Sequence, residues 1–314
     1  MNQVPLHFVI SAPRSGSTWL TSAINRHPEI AGVEQRLFGG FCEMWKNPRG
    51  NLTPRITLDC YARGLSYHWM IDETHEQRSE TSHELTQAMI QALGQLAALN
   101  KTGKSTLVDK ITPYSGTAST VLEQISRHAP QSKIIHLVRD GRDVVTSLVF
   151  DWINREPPES LRRQFFVDRT SGTKLTRFFS DDDLKKWCDQ WLDVENNTQA
   201  ANATLEVRYE NLKTQFGIEL FRIFQFLNLP LSDESIAQIE LETNFQQMTG
   251  RVAGQAEATA KARKGVVGDW SNYFTRHDAQ LFDAIAGQTL LELGYVAEPT
   301  WWKSCPEELC LTLA

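Results

Sequence analysis

Several features are scarce or missing in this 314-residue chain, and each absence narrows its chemistry. No stretch approaches the roughly 18 consecutive apolar residues of a membrane-crossing helix, so no membrane span is expected. The opening residues, MNQVPLHFVI, have no basic start, no long apolar core and no small-residue cleavage site, so no signal peptide is expected either. The cysteines are Cys42, Cys60, Cys188, Cys305 and Cys310, an odd number with no CxxC pair. That pattern argues against a disulfide framework or a zinc site and predicts free thiols in a reducing compartment, the cytoplasm. No cluster of His, Cys and carboxylates has ligand spacing, so no metal is expected. Positive charge is not in excess. The formal net charge of −6 excludes general nucleic-acid binding, but an anionic ligand held by local cations remains open.

The remaining composition, 41% hydrophobic and 22% charged, is that of an ordinary globular chain, and it has no internal repeat. Short apolar runs at 6–10, 105–110, 133–138 and 203–209 read as strands covered on both faces. Helical patterns lie around them, at Thr18–Arg26, Ser82–Leu99, Thr117–Arg127, Val144–Ile153, Asp183–Asn197, Leu212–Leu227 and Asp278–Leu293. Alternation of this kind predicts an α/β fold, a parallel sheet flanked by helices, with ligands beyond the carboxyl ends of its strands. Residues 37–80 and 154–182 have weak periodicity and read as lid insertions. One domain over 1–314 is expected.

Three clusters carry candidate chemistry. The first is Ser11–Leu20, SAPRSGSTWL, between a strand and a helix. Amides of Ser15, Gly16, Ser17 and Thr18 at a helix N-terminus suit an anion, and Arg14 adds a charge-assisted contact. The lysine that follows the last glycine of a Walker A loop is missing, so this is not the standard triphosphate cradle. The second cluster is HLVRDGRDVVTSLVFDW at 136–152, with Arg139 at a strand end and Ser147 two turns into the next helix. The third is ARKGVVGDWSNYFT at 262–275, where Arg263 and Lys264 precede Gly265, and Gly265 lets the backbone approach a phosphate closely.

Taken together and in this order, the clusters resemble the sulfotransferases that use 3′-phosphoadenosine 5′-phosphosulfate (PAPS). PRSGSTW is similar to their 5′-phosphosulfate loop, LVRDGRDVVTS to their 3′-phosphate segment, and RKGVVGDW to the C-terminal RKGxxGDW motif of the cytosolic branch. VRYENL at 207–212 resembles the segment whose tyrosine, here Tyr209, sits near adenine. The resemblance implies a P-loop-like sheet, PAPS as co-substrate and Trp19 near the base. It places the 3′-phosphate with Arg139, Ser147, Arg263 and Lys264. It also puts Arg14 in place of the common lysine and Lys110 near the bridging oxygen.

The sequence departs from the cytosolic branch where that branch has a histidine two residues after the lysine. Thr112 stands there, and a threonine is no general base near neutral pH. RHPEIAGVEQR resembles a segment of the tyrosylprotein branch whose glutamate aligns with Glu34, which makes Glu34 the candidate base alongside Lys110 and Arg14. Asp109, His68, His75 and His83 stand behind it, while His136 reads as core and His27 as a helix-end residue. The expected partner is a small-molecule, carbohydrate, lipid or carrier-bound acceptor, and the dimer motif KxxxTVxxxE is absent. Two other readings stay open, a P-loop nucleotide kinase and a non-catalytic protein that binds PAPS or its product.

Overall fold

The computed structural model describes residues 4–34, 37–40, 42–46, 52–69, 74–99, 104–168, 175–199, 201, 203–257, 260 and 262–311. Its centre is a five-stranded parallel sheet. The strands are β1 (Leu6–Ile10), β2 (Ile30–Glu34), β5 (Thr106–Ile111), β6 (Ile134–Val138) and β7 (Thr204–Arg208), in the order β2-β5-β1-β6-β7. A separate antiparallel hairpin joins β3 (Cys42–Lys46) to β4 (Leu52–Ile56). The helices of the first half are α1 (Ser17–Ile24), α2 (Leu58–Trp69), α3 (His75–Leu99), α4 (Ala118–His128) and α5 (Gly141–Ile153). Those of the second half are α6 (Leu161–Arg163), α7 (Asp181–Gln199), α8 (Tyr209–Thr214), α9 (Phe216–Leu227), α10 (Asp233–Thr243), α11 (Phe245–Thr249) and α12 (Arg276–Glu292).

The strands β1, β5 and β6 are short and wholly buried, as apolar runs with helices on both faces must be. Alternation along each strand sends neighbouring residues to different layers. Leu6, Phe8 and Ile10 join the core under α3, α4, α5, α7 and α12, whereas Val9 joins the core under α1, α9 and α10. The same parity governs β5. Leu107 and Ile111 go to the first layer and Val108 to the second, so Lys110 emerges beside α1 and Asp109 on the opposite face.

Several elements differ from the sequence expectation for identifiable reasons. Helix α3 starts at His75 rather than Ser82, because Thr74 and Gln77 exchange the reciprocal bonds of a capping box about two turns earlier. The single helix expected over Leu212–Leu227 is two, α8 and α9, which meet at Gln215. Strand β2, the hairpin and helices α2, α10 and α11 carry no clear periodic signal in the sequence. His136 is buried against Glu195 at 3.0 Å, as a core residue. His27 is buried at the end of α1, with Leu229 O 3.1 Å from its Nε2. The segment 154–182 contributes Phe165, Phe178 and Phe179 to the interior rather than only a cover. Among the described residues no helix is long and apolar enough to cross a membrane.

Candidate active site

One cavity of about 870 Å³ opens at the carboxyl edge of the sheet. Each strand delivers a residue to it at or just beyond its end: Arg14 after β1, Glu34 from β2, Lys110 from β5, Arg139 after β6 and Tyr209 after β7. Of the sequence candidates, Arg14, Gly16, Ser17, Thr18, Trp19, Glu34, Lys110, Arg139, Ser147, Tyr209, Arg263, Lys264 and Gly265 all line it. Ser15 does not line it. It is fully buried, and its hydroxyl has no hydrogen-bond partner among the described residues.

The loop after β1 turns through left-handed backbone at Arg14 (φ 69°) and Gly16 (φ 91°). Gly16 is required for a second reason. A Cβ there would stand 2.7 Å from the Tyr209 ring, inside any real contact distance. Helix α1 follows with no capping side chain and no acid in its first turn. Its leading N–H groups and the positive end of its dipole are therefore left for a ligand.

Lys110 sits just inside this helix end. Its ammonium donates to Glu34 Oε1 at 2.5 Å and lies 3.4 Å from Thr18 Oγ1. The sheet register explains the pair, because Glu34 and Lys110 are direct partners across β2 and β5. Arg14 donates to Ser147 Oγ at 3.1 Å and reaches Asp151 at 3.5 Å. Burial pulls its pKa below the usual arginine value; Asp151 opposes the shift, and Arg139 and Arg263 reinforce it. Asp109 faces away, fully buried, and accepts from the Leu37 amide at 3.1 Å.

The other end of the cavity is tied together internally. Arg139 donates to Arg14 O at 2.9 Å, to Val266 O at 3.2 Å and to Asp143 at 3.4 Å, with its guanidinium 4.3 Å from the centre of the Tyr209 ring. Asp143 in turn accepts the amides of Gly268 and Trp270 at 2.8 and 2.9 Å. One carboxylate thus joins the turn after β6 to the 262–275 loop. Burial raises the Asp143 pKa, and Arg139 and the two amides oppose the rise. Arg263 and Lys264 both donate to Asp269, Lys264 at 2.7 Å. Burial alone would raise the Asp269 pKa, but these two cations hold it below the usual carboxylate range. Ser147 bonds Arg14, so the four residues expected around one phosphate are not all mutually in contact.

The cavity also has an aromatic wall, of which the sequence motifs contain only Trp19 and Tyr209. Trp19 is fixed by its indole N–H to Thr243 O at 2.7 Å and stacks on Phe216 at 5.1 Å. Lys213 lies 5.6 Å from the Trp19 ring and 5.8 Å from that of Phe245. Phe245, Met248 and Arg251 from the α11 region complete this side. Lys213 is one helical turn after Tyr209, a spacing that could have flagged it. Nothing in the local pattern NFQQM marks Phe245. Of residues 37–80 none that is described lines the cavity, and of 154–182 only Arg155 does. His75 and His83 line a different, smaller pocket, and the side chain of His68 lies outside the described residues. Among the described residues there is no group of three or more His, Cys, Asp or Glu arranged for a metal.

With this geometry in hand, comparison with known proteins is informative. A family model described as the sulfotransferase domain matches residues 5–294. Sulfotransferase 1B1 of Mus musculus is 27% identical over 164 residues, covering 49% of this chain and 52% of that protein. Sulfotransferase 2A1 of Homo sapiens is 28% identical over 178 residues, covering 52% of this chain and 58% of that one. The aligned part thus spans little more than half the length of these relatives. Among solved structures, mouse sulfotransferase SULT7A1 complexed with PAP superposes with a TM-score of 0.48 at 20% identity, covering 92% of this chain and 86% of that one.

Proposed function

The chain belongs to the sulfotransferase domain family, and on that premise we propose that it transfers a sulfuryl group from PAPS to an acceptor hydroxyl or amine. One observation carries the reading. A single cavity holds a cation-rich anion loop, a second cationic cluster joined to it through Arg139, and an aromatic wall. A nucleotide with phosphate groups on both its 5′ and 3′ oxygens needs these three parts, one cationic patch for each phosphate and a stacking surface for the base. Stacking on Trp19 and Phe245 would contribute roughly 1–3 kcal/mol per base.

The roles follow from position. The loop amides, Arg14 and Thr18 hold the 5′-phosphosulfate, and Arg263, Lys264, Ser147 and Arg139 hold the 3′-phosphate. The acceptor oxygen attacks sulfur in line, and the bond from sulfur to the 5′-phosphate oxygen breaks. Adenosine 3′,5′-bisphosphate leaves. Lys110 meets the charge growing on that leaving oxygen, while Glu34 takes the acceptor proton. Pre-placed charge aimed at the transition state is the main source of rate in such a site. The acceptor is a small molecule, a carbohydrate, a lipid or a carrier-bound chain, and the protein works in the cytoplasm.

The direct test is to measure binding of adenosine 3′,5′-bisphosphate against ATP with Mg²⁺, followed by an acceptor screen with sulfur-labelled PAPS. Preference for the bisphosphate together with label transfer supports the reading. Preference for ATP would replace it with a nucleotide kinase. Tight bisphosphate binding without transfer to any acceptor would leave a binding protein.

A further inference from the structure

Residues 295–311 follow α12 and lie beyond the residues 5–294 that the family model matches, so membership of the family assigns them no role. They fold back over the molecule. The Arg276 amide donates to Pro306 O at 2.7 Å, and the Leu309 amide donates to Thr176 O at 2.8 Å. Leu175 and Leu311 exchange backbone bonds in both directions at 3.3 Å. The Trp301 indole N–H donates to Asp283 Oδ1 on α12 at 2.8 Å, and Cys305 and Leu309 are buried. The segment is thus laced to the body along its length.

Its first half converges on one buried cation, Arg142, in the turn after β6. Arg142 is 5% exposed. The edge of its guanidinium is bound by Asp140, through Nε and Nη2 at 2.9 and 2.7 Å, and by Tyr295 O at 3.1 Å. Its centre lies 4.0 Å from the Trp270 ring and 4.7 Å from the Trp301 ring, and those two rings meet edge-on at 5.7 Å. A buried guanidinium needs its edge hydrogen-bonded and its faces covered, and aromatic rings supply the second. Here Trp270 comes from the 262–275 loop and Trp301 from the segment after α12, so Arg142 joins the two. The Tyr295 hydroxyl adds a bond of 3.0 Å to Glu210, which also accepts the Asp140 amide at 3.2 Å.

We propose that residues 295–311 are an intramolecular strap that fixes the 3′-phosphate end of the large cavity, with Trp301 as its positioning residue, acting through Arg142 and Trp270. The path from Trp301 to the cavity is short. Arg142 adjoins Asp143, which accepts the Trp270 amide at 2.9 Å and pairs with Arg139 at 3.4 Å. Trp270 adjoins Asp269, the carboxylate that holds both Arg263 and Lys264. A second path starts at Leu311. Its partner Leu175 leads to Phe178, whose ring is 5.0 Å from that of Tyr273, and the Tyr273 hydroxyl is 3.5 Å from Arg263 Nη1. Which phosphate this end takes rests on the proposed function; that the strap orders the 262–275 loop does not.

Two measurements on the full chain keep these apart. Trp301→Leu keeps apolar bulk and removes the ring and its N–H, while Tyr295→Phe removes only a hydroxyl. The first measurement is hydrogen–deuterium exchange without ligand, read on the peptide spanning 265–271, which holds the amides bound by Asp143. Its exchange should rise about tenfold in Trp301→Leu, while peptides from β1 and β5 exchange as in the wild type. The second is binding. Trp301→Leu should weaken adenosine 3′,5′-bisphosphate about tenfold and Tyr295→Phe about threefold. Affinity for adenosine 5′-phosphosulfate, and kcat at saturating PAPS, should stay within about twofold. A general loss of stability would instead speed exchange everywhere and weaken both nucleotides alike. That outcome, or exchange at 265–271 that matches the wild type, would overturn the strap. Faster exchange confined to 265–271, in a protein whose wild type binds no bisphosphate, would uphold the strap and overturn the proposed function.

Discussion

The two cationic ends of the large cavity are built differently. At the 262–275 end, Arg139 and the Arg263–Lys264 pair lean on Asp143 and Asp269, whose side chains are 1% and 5% exposed. Backbone carbonyls and amides complete that network. At the loop end, Lys110 and Arg14 are held by Glu34 and Asp151, whose side chains are 50% and 37% exposed. Buried, multiply bonded partners fix a cation in place, while a half-exposed partner holds it weakly and can let go. On the proposed function, the first construction suits an anion whose charge never changes, the 3′-phosphate. The second then suits the reacting group, where charge moves and a proton must find a base.

The sharpest test of this contrast is Glu34. Glu34→Gln keeps the shape and removes the base, so kcat should fall roughly 10²–10⁴-fold with bisphosphate affinity nearly unchanged. A variant that turned over normally would move the search for a base to Asp151, which lines the same cavity. The next largest effect belongs to Lys110. Lys110→Ala should lower kcat by about 10²–10³-fold, as loss of a transition-state donor does, and raise the KM for PAPS much less. If affinity alone suffered, the loop end would be as static as the other.

At the fixed end, Lys264→Ala should weaken PAPS binding about tenfold or more and leave adenosine 5′-phosphosulfate, which lacks the 3′-phosphate, almost unaffected. Equal losses for both donors would mean that Lys264 only braces Asp269. The mildest change tests the aromatic wall. Phe245→Ala should weaken bisphosphate binding by roughly 1–3 kcal/mol without altering kcat at saturating donor, measured by calorimetry and steady-state rates.

The features that persisted from sequence to structure are those encoded locally. Runs such as LHFVI and KIIHLV read as buried strands and form β1 and β6, and the loop read between β1 and a helix forms with left-handed backbone at Arg14 and Gly16. Motif order then placed Arg139 and Lys264 on the same cavity. The partners of those cations were harder to read. Asp269 follows Lys264 by five residues across a turn, and nothing in the spacing shows that its carboxylate faces back. Asp143 reaches across 125 positions to Gly268. Strand β2, short and partly exposed at the sheet edge, has the sequence IAGVE with no alternation, so the register that brings Glu34 to Lys110 was invisible until the sheet was assembled. The periodic pattern of helix α3 is legible from Ser82 onward, but its start is set upstream by the cap that Thr74 and Gln77 form.

The close approach of Gly16 to the Tyr209 ring has a consequence for the history of the fold. The two positions are far apart in the chain, yet a single methyl group at one collides with the other. A lineage cannot enlarge residue 16 first and adjust later, since the Tyr209 ring leaves no room for the new atoms; the positive φ adds a strain that remains even when the ring is gone. Change must begin at 209, with a smaller residue that empties the space. Among descendants of this sequence, bulk at position 16 should therefore occur only where position 209 has already lost its ring, a one-way dependence that leaves its trace as paired variation.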